Sequence, residues 1–217
     1  MKIVNIAKVG AAAVAAVVLT FAGAGAANAA TSVPSGHVDA VLVTCDASGN
    51  LSLASVIGED PGVTVPQGQI GNYQFDYDSS TADPDALSWA SNLWTATGDE
   101  DFEDDIPFIG FRYEAANEDL CPETVQIDAR RATGLTNTGN AVFTANEAAA
   151  GGTSTAVLNT SRVTLTAPYA ETPSNPSHVH GQWTFAGPST GGVYNVAFDA
   201  YAPGLVGTIT PVQITVS

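Results

Sequence analysis

His178-Val179-His180-Gly181-Gln182-Trp183-Thr184-Phe185, followed after a Gly-rich turn by Val193-Tyr194-Asn195-Val196-Ala197-Phe198, is the stretch whose reading decides the fold. An extended chain sends successive side chains to opposite faces. As a strand, this stretch puts His178, His180, Gln182 and Thr184 on one face and Val179, Gly181, Trp183 and Phe185 on the other. One face is polar and the other apolar, with Trp183 and Phe185 expected to support the strand from the core side.

The same alternation recurs along the chain. Val38 to Thr44 reads as a β-branched strand with Cys45 at its end, Asp46 to Asn50 as a turn, and Leu51 to Val56 as the returning half of a hairpin. Val63 to Val65, Tyr73 to Tyr77, Pro107 to Tyr113, Thr124 to Asp128, Ala141 to Thr144, Arg162 to Thr166, Val193 to Tyr201 and Val212 to Val216 follow as further strands. Gly151 to Ser154 reads as a flexible turn and Thr172 to Ser177 as a Pro- and Ser-rich linker. One helix is expected, opened by Asp83-Pro84-Asp85 and running through Ala86 to Trp94. Asp99 to Asp105 reads as a solvated acidic loop that lacks the ligand spacing and central glycine of an EF-hand. Many short strands with regular turn signals predict an all-β fold, an antiparallel β-sandwich of immunoglobulin-like or jelly-roll-like kind with little helix.

The N-terminus points to export. Lys2 and Lys8 precede an apolar run from Val9 to Ala22, and Ala27-Asn28-Ala29 matches a cleavage site, so residues 1–29 read as a signal peptide. Of 217 residues, cleavage of 29 leaves 188, the size of one domain spanning 30–217. No second apolar run of membrane length and no C-terminal sorting signal follow, so the mature chain is expected to be soluble, secreted and not inserted in a membrane. It keeps four arginines against 22 acidic residues, a formal charge of −18. That balance excludes nucleic acid and anionic membranes as partners and favours cations. The two cysteines, Cys45 and Cys121, lie 76 positions apart and are expected to form one disulfide in an oxidising compartment.

The histidines carry the chemistry. His178 and His180 at i and i+2 bring two imidazoles within reach of one metal ion, and neutral imidazole is a common zinc ligand. The third histidine, His37, shares a strand face with Asp39 by the same rule. Should the two strands meet, His37, Asp39, His178 and His180 would supply three nitrogens and one oxygen, a tetrahedral zinc set.

Gly36-His37-Val38-Asp39, together with His178 to Phe185 and the later Gly192-Val193-Tyr194, resembles the actinobacterial surface-anchored protein domain, also called the choice-of-anchor M domain. That family has a Gly-His-x-Asp-like start and a closing His-x-His-x-Asn-Trp-x-Phe segment ending in Gly-x-Tyr. Pro107-Phe108-Ile109-Gly110 is similar to its short Phe-x-Gly segment. The resemblance implies a secreted, mostly β domain at the surface of a Gram-positive actinobacterium. Because some members are associated with metal-type ABC transporters, it also implies metal capture or delivery, with transporter components or the cell wall as partners. The positions carried over are His37, Asp39, His178, His180 and Trp183. Gln182 stands in place of the family's Asn, the aromatic, Pro-Gln-rich central segment is not evident, and no wall anchor follows Ser217, which implies a released or non-covalently held protein.

The expectation is therefore a non-enzymatic metal-binding protein, with zinc as the ion. Two alternatives come from other classes. A cupin-like metalloenzyme also places His-x-His on a strand, but the acidic ligand expected downstream is replaced by Trp183, Thr184, Phe185 and Ala186. An adhesion or carbohydrate-binding module would use Trp89, Trp94, Tyr73 and Tyr77 as a stacking surface. A Ser-His-Asp hydrolase lacks a Gly-x-Ser-x-Gly elbow to present its nucleophile.

Overall fold

Alternating apolar residues over Gly192–Ala202 and Leu205–Val216 form the longest hairpin of the chain, turned by Pro203-Gly204 with Gly204 at φ +86°. The computed structural model describes residues 30–58, 62–145, 155–157, 162–171 and 177–217. The expected leader at 1–29, the turn at 151–154 and most of the linker, 172–176, lie outside the described residues.

In chain order the strands are β1 (Thr31–Val33), β2 (Gly36–Cys45), β3 (Leu51–Ile57), β4 (Val63–Pro66), β5 (Tyr73–Tyr77), β6 (Leu87–Ala90), β7 (Leu93–Ala96) and β8 (Pro107–Ala115). They continue with β9 (Thr124–Arg131), β10 (Ala141–Ala145), β11 (Thr155–Val157), β12 (Arg162–Thr166), β13 (His178–Ala186), β14 (Gly192–Ala202) and β15 (Leu205–Val216). Two sheets result. One has the order β1-β5-β15-β14-β9-β12, and the other β11-β10-β13-β8-β2-β3-β4, with β7 also pairing β13 and β6 pairing β7. The protein is an all-β sandwich. Most pairings are antiparallel as expected, but β1 with β5, β5 with β15, and β2 with β8 run parallel.

The core lies where the inner faces meet. Phe111 and Trp183 of one sheet contact Phe198 of the other at ring-centroid distances of 5.4 and 6.4 Å, and Phe185 contacts Tyr194 at 5.0 Å. Offset and edge-on ring contacts of this kind add to the burial of their apolar area. Trp183 and Phe185 are buried, as the strand reading required.

The helix expected over 83–94 is not formed. Asp83 does start a turn, accepting backbone hydrogen bonds from Ala86 and Leu87 at 2.9 and 3.0 Å, but the chain then enters the β6–β7 hairpin. Ser91 and Asn92, at φ 54° and 64°, turn it in the left-handed conformation that suits a two-residue hairpin loop. Pairing of β7 with β13 and burial of Trp94, whose Nε1 donates to the Pro188 carbonyl at 2.9 Å, outweigh the local start signal. Trp94 and Tyr77 are core residues while Trp89 is exposed, so the four aromatics considered as a sugar-stacking surface do not share one face. The acidic run is also more structured than a solvated loop. Asp99 caps a 3-10 turn over Glu100–Phe102, and the Gly36 amide at the start of β2 donates to the Glu103 carbonyl at 2.6 Å.

Cys45 and Cys121 form the expected disulfide, with Cα atoms 5.8 Å apart, tying the end of β2 to the segment that leads into β9. A closed loop with a separation of 76 restricts the unfolded chain by about 4 kcal/mol on the chain-entropy account. Urea denaturation of the oxidised protein against a Cys45→Ala/Cys121→Ala variant is expected to show a loss of about 3–4 kcal/mol. A loss under about 1 kcal/mol would show that the loop contributes little beyond what the unfolded chain already retains.

Candidate metal centre

Strands β2 and β13 are not paired through their backbones, and only their side chains meet. β8 runs between them, parallel to β2 and antiparallel to β13. The register pairs His37 with Phe108 and Asp39 with Gly110 on one side, and His180 with Gly110 and His178 with Arg112 on the other. Asp39, Gly110 and His180 therefore form one row across three strands. His37 and Phe108 flank that row at one end, and His178 and Arg112 flank it at the other. The period of two keeps all seven on one face, opposite the core-facing Val38, Ile109, Phe111 and Val179.

Gly110 makes this row possible. A Cβ at that position would lie 2.4 Å from the Val179 carbonyl oxygen and 2.6 Å from both Cγ and Nδ1 of His180. Without a side chain there, the His180 ring can lie across β8 towards Asp39. Its outer flank is fixed by Phe108, whose ring stacks on it at 4.1 Å with 6° between the planes. Directly after Asp39, a register shift in β2 leaves Ala40 and Val41 both fully buried. The carbonyl of Ala40 accepts from the buried Ser55 hydroxyl at 2.8 Å, so the irregular backbone keeps a partner.

All three imidazoles aim Nε2 at the Asp39 carboxylate. His178 Nε2 lies 2.7 Å from Asp39 Oδ1 and 2.9 Å from His180 Nε2, His180 Nε2 lies 3.7 Å from Oδ1, and His37 Nε2 lies 3.5 Å from Oδ2. Each of the four residues offers one atom to a group in which no two are more than 4.8 Å apart. Ligands about 2.0–2.1 Å from a tetrahedral zinc are separated from one another by roughly 3.3 Å. The four separations bracket that value.

Proton counting leads to the same place. A neutral imidazole carries one N–H, so a proton on His178 Nε2 cannot point at both Asp39 and His180. Asp39 is wholly inaccessible, and its Oδ2 has no hydrogen-bond partner, nor has the buried His180 Nδ1. A fully buried carboxylate oxygen left in this state is costly unless a positive charge compensates it. A divalent ion among the four ligand atoms would use the unshared lone pairs and supply that charge.

Burial by itself would raise the Asp39 pKa, but His178, hydrogen-bonded to Oδ1, and His37, close beside Oδ2, outweigh it with their positive charge and hold the carboxyl well below the usual range. Burial, followed by the charges of His178 and His37, pushes His180 down to about 3, with Asp39 and the Phe108 backbone pulling only weakly the other way. His180 is thus held neutral, the form that ligates metal. The cluster deepens from a half-exposed His178 to the inaccessible Asp39.

All four ligand candidates from the sequence are brought together. The sequence reading did not assign roles to Gly110, Phe108 or Arg112. The spacing Phe108-x-Gly110-x-Arg112 was visible and puts the three on one face, but nothing local said which strand this face would meet. No family model matches the chain, and no curated protein or solved structure is detectably similar to it. Among the described residues, no helix is long and apolar enough to cross a membrane.

Gly110→Ala is expected to destabilise the protein by about 2 kcal/mol or more, because backbone and ring atoms both obstruct the new methyl group. Denaturant midpoints for the variant would measure it, and an unchanged midpoint would contradict the packing described. For the metal-free protein, the lowered His180 pKa stabilises the fold fully above the unfolded imidazole value of 6.5, and that contribution is lost as pH falls from there towards about 3. The lowered Asp39 pKa acts in the same sense below 3.8. Unfolding free energy should therefore decline from pH 7 to pH 4, and more steeply than in His180→Gln.

Proposed function

We propose that the protein is a non-enzymatic, exported cell-surface protein that captures a transition metal, zinc, through His37, Asp39, His178 and His180. The observation that carries this reading is the convergence of three Nε2 atoms on one buried carboxylate. The donor set supports zinc, since imidazole and carboxylate suit it and the described residues offer no thiolate, both cysteines being in the disulfide. Export is supported by the leader-like composition of residues 1–29 and by a disulfide compatible with an extracellular setting. The candidate ligands come from strands in the middle of a sheet, each paired on both sides, which suits a preformed capture site.

For zinc, the number of ligands supports capture over catalysis. Catalytic zinc sites keep three protein ligands and leave a position for water or substrate, whereas four protein ligands close the tetrahedron. The resemblance to the surface-anchored domain family leads to a partner of the same kind, a metal-type ABC transporter component or the cell wall. A glycan-binding role has less support, because of its aromatic candidates Trp89 alone is well exposed.

Metal content and calorimetric zinc titration of the mature protein, residues 30–217, test the proposal beside a His178→Ala/His180→Ala double variant. One ion per chain is expected for the wild type, with at least a hundredfold weaker binding in the variant. Binding should also weaken as pH falls, because protons compete with the metal for the imidazole nitrogens. Absence of stoichiometric binding, or an affinity unchanged down to about pH 4, would overturn the reading.

A further inference from the structure

We propose that Arg112 is a release element for the captured ion, a fixed positive charge that brings the empty and filled states of the site closer in free energy. The inference rests on the metal reading above. Arg112 follows Gly110 on the same face of β8 and is registered opposite His178. Its Nη1 lies 4.0 Å from Asp39 Oδ2, the buried oxygen without a hydrogen-bond partner, and its Nη2 lies 2.8 Å from Glu114 Oε1. Arg112 is partly exposed, as are Glu114 and His178, so these three form the mouth of a site whose floor is Asp39.

The placement is unfavourable for holding a cation. The residues after the leader include only four basic side chains, Arg112, Arg130, Arg131 and Arg162, and one of them stands at the edge of the cluster that would bind a divalent ion. In the empty protein the guanidinium compensates the buried Asp39 charge. In the filled protein the ion compensates it instead, and the guanidinium repels the ion. Both effects lower the gain on binding and raise the rate of loss. Glu114 moderates them by drawing Arg112 outward, so the Arg112–Glu114 pair sets how much positive charge the ion meets. A site meant to hand its ion to a second binder needs such a limit on affinity.

Zinc titration of the mature protein, with dissociation rates measured by chelator capture, distinguishes this role. Arg112→Gln is expected to bind on the order of tenfold more tightly and release more slowly, because a unit charge several ångströms from a divalent ion is removed. Arg112→Lys, which keeps the charge, should stay close to wild type. Glu114→Gln should bind more weakly, since Arg112 is then free to turn towards Asp39. The metal-free Arg112→Gln protein should have a lower denaturation midpoint, an effect opposite in sign to its gain in affinity. Equal or weaker zinc binding by Arg112→Gln, beside a wild type that binds, would overturn this role and leave the metal reading intact. Failure of every form, wild type included, to bind zinc would overturn both.

Discussion

The arrangement around the site follows from one constraint: Asp39 is a carboxylate with no accessible surface. Removing a charge from water costs several kcal/mol even after relaxation, and the cost is recovered only by close opposite charge and hydrogen bonds. Three imidazoles and a guanidinium surround this carboxylate, yet one of its oxygens has no hydrogen bond. The chain could have avoided the cost with an apolar residue at position 39, which would pack among the same strands. A buried acid retained at the focus of three Nε2 atoms makes physical sense as half of a charge pair whose other half is a cation.

The sandwich supplies the precision such a pair needs. Metal–ligand distances tolerate errors of only about 0.2 Å, so the ligands must sit on elements that do not drift. β8 is hydrogen-bonded on both sides, to β2 and to β13, and Trp183 donates from the core side to the Ile109 carbonyl at 3.3 Å, next to Gly110. The rings of Phe111, Phe143 and Phe198 pack against one another or against Trp183 beneath that face. A shift of one residue in either pairing would turn the ligands to the opposite face, so the apolar pattern that fixes the register also fixes the site.

The four candidate ligands were legible in the sequence because each pair is local. His178 and His180 share a face by alternation, as do His37 and Asp39, and no knowledge of tertiary structure is needed to say so. Their meeting was not legible, since the sequence leaves open whether the two strands come together, and the structure does it across an intervening strand, β8. A parallel pairing such as β2 with β8 leaves no short turn between its strands, so no local signal announces it. The helix expected at 83–94 failed for a related reason: one favourable start signal at Asp83 competed with a long-range pairing to β13 that the sequence does not display. Strands bounded by clear turns, such as β5 and β12, were legible to the residue.

Charge acts on two scales in this molecule, with opposite signs. The chain carries 22 acidic residues against 6 basic ones, and their summed field would draw cations towards the surface, with a reach limited to about 8 Å at physiological ionic strength. Surface acids alone would hold such ions loosely and without discrimination. Inside the cluster the order is reversed, with three neutral-capable imidazoles, one carboxylate and a nearby guanidinium. A cation bound there would exchange water for nitrogen ligands and meet only one negative charge. Hard ions such as calcium and magnesium, which require several oxygens, gain little from that exchange. The acidic exterior would thus raise the local concentration of all divalent ions, and the imidazole-rich interior would decide which of them stays.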